Sequence, residues 1–167
     1  MKRLLPLAAA LMMLGGCGLK PLYSGGSASP AAQVLGEIEI VPMEGRAGWL
    51  LANALRERMS VVPASASPRY RLQIALDDQI TGLAIRRDDS VARERRTLRA
   101  RYQLVEVGND GVVLDATAAS DAGIDVVGSD YATIAAEATA LERLADVVAD
   151  QIITRISVSV GQNAAKQ

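Results

Sequence analysis

The chain has 167 residues, 18 basic against 19 acidic side chains, one cysteine and no histidine. Without an imidazole, no Ser-His-Asp or Cys-His arrangement can form, and most zinc sites are excluded too. Phe is absent and Trp occurs once, so the core must be built from Leu, Ile, Val and Ala.

Lys2 and Arg3 open the chain with positive charge, and an apolar run from Leu4 to Leu14 follows, interrupted only by Pro6. Roughly eleven residues are too few to cross a bilayer, which takes about 20, but they suit a secretory signal peptide. Leu14-Gly15-Gly16-Cys17 then has the form of a bacterial lipobox: a long aliphatic, two small residues that admit the peptidase, and the thiol that takes the lipid. Residues 1–16 are expected to be removed, which leaves Cys17 as an acylated first residue. Each buried methylene of an acyl chain contributes roughly 0.8 kcal/mol, and two or more chains anchor stably. With the lone cysteine used by lipid, the fold has no disulfide to draw on. Taking sixteen residues from 167 leaves 151, the size of one domain. The leader also takes two basic groups, so the remainder holds 16 basic against 19 acidic side chains, a net of −3. By resemblance to enterobacterial lipoprotein sorting, Gly18 rather than an aspartate after the cysteine favours the outer membrane over the inner.

Residues 17–33 carry the acylated cysteine and then "KPLYSGGSASPAAQ", whose Gly, Ser, Ala and Pro content predicts a flexible tether. Folded structure is expected from Val34 as a single α/β domain over 34–160. "VLGEIEIVP" alternates Ile38 and Ile40 with Glu37 and Glu39, a strand that Pro42 ends. "GRAGWLLANALRERM" spaces Leu51, Ala54, Leu55 and Arg58 as a helix does, and Gly48 weakens its start. "RYRLQIALD" and "TLRARYQLVEV" each alternate strictly, with Leu72 and Ile74 inside in the first and Leu98, Tyr102 and Leu104 inside in the second. "GNDG" at 108–111 is a hairpin turn, because Asn, Asp and Gly tolerate positive φ. It leads into "VVLDATAAS", where Leu114, Ala116 and Ala118 keep the alternation. Strands apolar on one side belong to an antiparallel sheet with one covered face.

The cover is the last element. From about Asp130 to Ile156, residues Ile134, Ala138, Leu141, Ala145, Val148 and Ile152 recur at three and four. Ser129 or Asp130 is placed to cap it. Ser157 to Gln167 is expected as a loose tail, with the domain bounded at 160 and the C-terminal tail over 161–167. The order is β-α-β-β-β-α, and the first strand–helix–strand unit calls for a crossover between parallel strands. The predicted fold class is α+β, with two helices on one face of a four-stranded mixed sheet.

"CGLKPLY" at Cys17 to Tyr23 resembles the start of mature LptE-type lipopolysaccharide-assembly lipoproteins, in which Cys-Gly and an apolar residue precede Pro-Leu-Tyr. "EIEIVPMEGRAGWLLANALRERM" is similar to that family's first strand and helix, and "ADQIITRI" to the final-helix close of its alphaproteobacterial members. The resemblance covers nearly the whole chain. It implies a noncatalytic outer-membrane lipoprotein, without cofactors besides the lipid, that plugs the LptD β-barrel from the periplasmic side. It also implies help in folding that barrel and contact with lipopolysaccharide during assembly into the outer leaflet. An auxiliary lipoprotein of another envelope lipid transporter shares the same anchor and body.

The residues themselves offer little chemistry. Asp77-Asp78 and Asp88-Asp89 are adjacent, and adjacent strand residues point to opposite faces, so neither makes a catalytic carboxylate pair. Gly25-Gly26 follows no strand and forms no phosphate loop. The arginines stand out. Residues 69–101 carry nine arginines against five acids, and residues 102–167 three basic groups against ten acids. Arg93, Arg95, Arg99 and Arg101 share one strand face, Arg69 and Arg71 extend it, and Arg86 and Arg87 lie in the connection. A guanidinium grips phosphate with two hydrogen bonds, so these arginines are lipopolysaccharide-contact candidates. A solvated face paired with Asp88, Asp89 or Glu94, or contact with an acidic barrel lumen, accounts for them equally well. Glu137, Asp146 and Asp150 on the last helix face outward, where a partner could meet them. Nucleic acid is not expected, since no aromatic platform interleaves the arginines.

Overall fold

The structure is a computed structural model and describes residues 30–60, 63–85, 91–126 and 128–164. Cys17, its lipobox, Pro21-Leu22-Tyr23, Gly25-Gly26, Arg86, Arg87, Asp88 and Asp89 lie outside the described residues.

Among the described residues seven elements follow one another: α1 (Pro30–Gly36), β1 (Ile38–Ile40), α2 (Gly45–Met59), β2 (Tyr70–Ile85), β3 (Val91–Glu106), β4 (Val112–Asp125) and α3 (Asp130–Ala164). The sheet runs β1-β2-β3-β4. β1 lies parallel to β2, with Ile38 beside Tyr70, and the other neighbours are antiparallel. The α+β class and the mixed four-stranded sheet agree with the sequence reading.

Even-numbered residues of β3 and β4 face the helices. Leu98, Ala100, Tyr102 and Leu104 are buried there, with Leu72 of β2 and Ala118 of β4 beside them. Leu51 and Leu55 of α2 meet them in one cluster with Leu141, Val148, Ile152 and Ile156 of α3. Burying that apolar surface drives the fold, at roughly 25 cal/mol per Å² removed from water. Burial also pushes the Tyr102 hydroxyl pKa up, against the pull of Arg155. The β3–β4 turn has the expected chemistry: Asp110 sits at φ 53°, and Asn109 Oδ1 accepts from the Gly111 N–H at 2.8 Å.

Four expectations need correction. Pro30–Gly36 is a helix where a tether was expected to reach residue 33. Pro suits a first helical position, and Ala32 and Leu35 are buried. The last helix continues through Ser157 to Ala164, so the loose tail is not found over 157–164. Ser157 is itself buried. Ile134, assigned to the core stripe, is 63% exposed, because this first part of α3 extends past the packed core. Gly48 does more than weaken a helix start: a Cβ there would lie 2.7 Å from Met43 Cβ, so only hydrogen lets α2 pack against the segment that leads into it.

Candidate functional site

From Arg93 to Gln103, the odd-numbered residues of β3 and their neighbours on β2 and β4 point away from the helices, and among the described residues no element covers them. Arg93, Arg95, Arg99 and Arg101 all stand exposed on this outer face. Their surroundings come from β4, which the turn at 108–111 lays beside β3. Arg93 is directly opposite Asp125 and donates from Nε at 2.9 Å. Arg95 lies 3.6 Å from Asp121, and Arg101 donates from Nη2 to Asp115 at 3.1 Å. Asp115 also accepts from Gln103. The Arg101 bond holds the Asp115 carboxyl below its ordinary range and raises the Arg101 pKa in turn. Arg99 makes no hydrogen bond or ion pair among the described residues, although Asp77 is its register partner on β2. Asp77 accepts from Gln79 instead.

Charge that is segregated along the chain is therefore interleaved in space. Of the acids expected near the arginines, Asp88 and Asp89 lie outside the described residues, and Glu94 makes none of these pairs. The acids found there are Asp115, Asp121 and Asp125. Arg69, at the end of the row, pairs with Glu106 and lies 5.4 Å over the Tyr70 ring.

Arg96 has the opposite parity and went unremarked in the sequence. Its side chain is only 13% exposed and enters the helix side of the sheet. It grips Asp78 with two hydrogen bonds, of 2.8 and 2.6 Å, and donates a third to the Glu137 carbonyl of α3 at 2.9 Å. The Asp78 bond raises the Arg96 pKa against the penalty of burial. Asp77 and Asp78 do point to opposite faces. A cleft of about 380 Å³ opens beside Arg96, lined also by Arg46, Asp78, Ile134 and Leu141.

Two of the outward acids of the last helix, Asp146 and Asp150, find their partner inside the chain. Arg58 of α2 donates to Asp150 at 2.6 Å and to Asp146 at 3.4 Å. The bond raises the Arg58 pKa and lowers that of Asp150. Among the described residues, no three His, Cys, Asp or Glu side chains come together as metal ligands. No helix among them is long and apolar enough to cross a membrane.

This layout, two long helices under a mixed sheet whose other face is open, meets a family model for lipopolysaccharide assembly, LptE, over residues 35–156. The chain belongs to the LptE family. The match begins within α1 and ends at the last buried isoleucine of α3. No curated protein matches the chain. Solved structures share the LptE-like fold at low identity. A chain from Caulobacter crescentus described as a lipoprotein is 23% identical, with 78% of this chain and 96% of that one covered at a TM-score of 0.65. Rare lipoprotein B from Shewanella oneidensis is 13% identical over 77% and 96%, with a TM-score of 0.54. A lipoprotein B from Nitrosomonas europaea is 14% identical over 72% and 79%, with a TM-score of 0.55. These likenesses establish the fold, and the family match establishes the lipopolysaccharide-assembly class.

Proposed function

We propose that this LptE-family chain is an outer-membrane lipoprotein, acylated at Cys17, that plugs the LptD β-barrel and meets lipopolysaccharide through its arginine-bearing sheet face. The family match over residues 35–156 carries the reading. The lipobox at Leu14 to Cys17 supports the anchor. The uncovered outer face supports the contact: around Arg95, Arg99 and Arg101 its exposed side chains are polar or small, as suits a hydrated lumen. Arg99 has a guanidinium free for phosphate among the described residues. Arg93, Arg95 and Arg101 can exchange an aspartate for a phosphate at small loss, because exposed ion pairs contribute only about 0–1 kcal/mol. Arg86 and Arg87 belong to the same proposal by their place in the connection between β2 and β3. The role requires no reaction centre and no cofactor besides the lipid.

The test is purification of the tagged full chain from native membranes, with mass measurement of what accompanies it. A large outer-membrane barrel is expected, and an inner-membrane transporter in its place overturns the reading. The processed N-terminus should carry lipid on Cys17. In the purified complex, Arg99→Glu and the pair Arg86→Glu with Arg87→Glu should each weaken lipopolysaccharide binding. Unchanged affinity removes the residue concerned from the contact.

A further inference from the structure

β4 is an edge strand of 14 residues, and among the described residues no strand neighbours one side of its backbone. Such an edge is a template for pairing with another chain, and proteins protect it with charge, proline, bulges or cover. β4 contains no proline or lysine. Its charges, Asp115, Asp121 and Asp125, leave a neutral stretch, "ATAAS", from Ala116 to Ser120. The other open edge, β2 beyond Leu72, carries Asp77 and Asp78 side by side. The gap in charge is on β4.

Gln151 fills that gap. It lies on α3 next to the buried Ile152, and its side chain is turned toward the strand edge. The Ala119 N–H donates to Gln151 Oε1 at 3.2 Å, and Gln151 Nε2 donates to the Ala119 carbonyl at 3.3 Å. In an antiparallel ladder, alternate residues turn both backbone groups toward one side. Ala119 pairs across with Arg99 and turns its two groups to the open edge. A side-chain amide thus makes the two bonds that an added strand would make.

We propose that Gln151 guards the β4 edge against pairing with a second copy of this chain. A second β4 running antiparallel about Ala119 would set Thr117 against Asp121 and Asp115 against Gly123. No like charges would be opposed. On the inward side Ala118 would face Ser120, and Ala116 would face Ala122, so no bulk would keep the strands apart. What stops the pairing is that the central pair of bonds is already made within one molecule, at no cost in association entropy.

The test compares full-length chains in detergent solution by light scattering over a hundredfold range of concentration, with amide hydrogen exchange read residue by residue. In the wild type, the Ala119 amide should exchange at least about tenfold more slowly than those of Thr117 and Asp121, which turn to the same edge. Gln151→Ala keeps the helix, since the site is exposed and alanine is the best helix former. It should free the Ala119 amide and produce dimers at a concentration about tenfold below any at which the wild type pairs. Adding Thr117→Asp, which would set two pairs of like charges against Asp121 in the paired edges, should restore the monomer. Equal exchange at the three wild-type amides overturns the proposal. So does a Gln151→Ala chain that stays monomeric throughout, or dimers that survive Thr117→Asp.

Discussion

The two faces of the sheet are built from neighbouring residues of the same strands and are held by different physics. Leu98, Ala100, Tyr102 and Leu104 lie against two helices and are closed to water. Arg95, Arg99 and Arg101 stand in solvent on the other face, where Arg95 and Arg101 meet exposed aspartates and Arg99 pairs with nothing among the described residues. The covered face supplies the free energy of folding and tolerates little change. The open face supplies almost none and is free to be shaped by what it contacts. Their independence is the lesson: the sheet's chemistry can be rewritten on one side without disturbing the other.

Substitutions can break that contrast if it is wrong. Leu104→Ala should cost about 3 kcal/mol, the usual range for a buried leucine being about 2–5. Arg99→Ala, on the opposite face, should stay within about 0.5 kcal/mol of the wild type. Urea unfolding followed by circular dichroism measures both, and equal losses would end the comparison. Next in size is Gly48→Ala, expected to cost about 1–3 kcal/mol by overpacking against Met43 although alanine favours helix. A gain in stability there would show that the segment before α2 can move aside. Arg96→Ala should cost about 1–2 kcal/mol, because Asp78 and the Glu137 carbonyl lose a shared donor in a half-closed setting. Arg96→Lys should not recover it, since one ammonium cannot reproduce the forked grip on Asp78.

The smallest effect sharpens the contrast through pH. Arg58→Ala should cost about 1 kcal/mol at neutral pH, given how exposed its two acids are. Arg58 holds the Asp150 pKa below its ordinary value of about 3.9. A depressed carboxylate pKa stabilises the fold above the unfolded value, and that stabilisation is lost as pH falls through the folded value. The gap between variant and wild type should therefore narrow from about pH 5 downward. A constant gap would mean that Arg58 acts through packing and its bond to the Ala54 carbonyl.

The covered face was legible because its alternation is strict wherever helices lie against it, from Tyr70 to Leu76 and from Leu98 to Leu104. Beyond that cover, "DQITGLAI" loses the alternation, and the hairpin runs further than the pattern shows. α1 could not be read from "SPAAQVLG", since a seven-residue helix forms only when Ala32 and Leu35 have a neighbour to bury against. Arg96 was hidden because its partners come from β2 and α3, distant in sequence. The arginine–aspartate pairing did leave a signal. The "GNDG" turn sets Leu104 opposite Leu114, and counting back along the ladder reaches Arg93 and Asp125. Gln151 left none, since nothing in one polar residue on a helix announces a strand edge.

The longest elements match in reach. α3, at 35 residues, spans about 52 Å, and each 16-residue arm of the β2–β3 hairpin spans about 53 Å. β1 joins the sheet at the end where β2 begins, so the chain enters at one end of the sheet, and the pair Ile85 and Val91 lies at the other. A tilt about the entering end is therefore amplified along that length: about 10° over ~53 Å carries Ile85 and Val91 by roughly 9 Å, about two strand spacings.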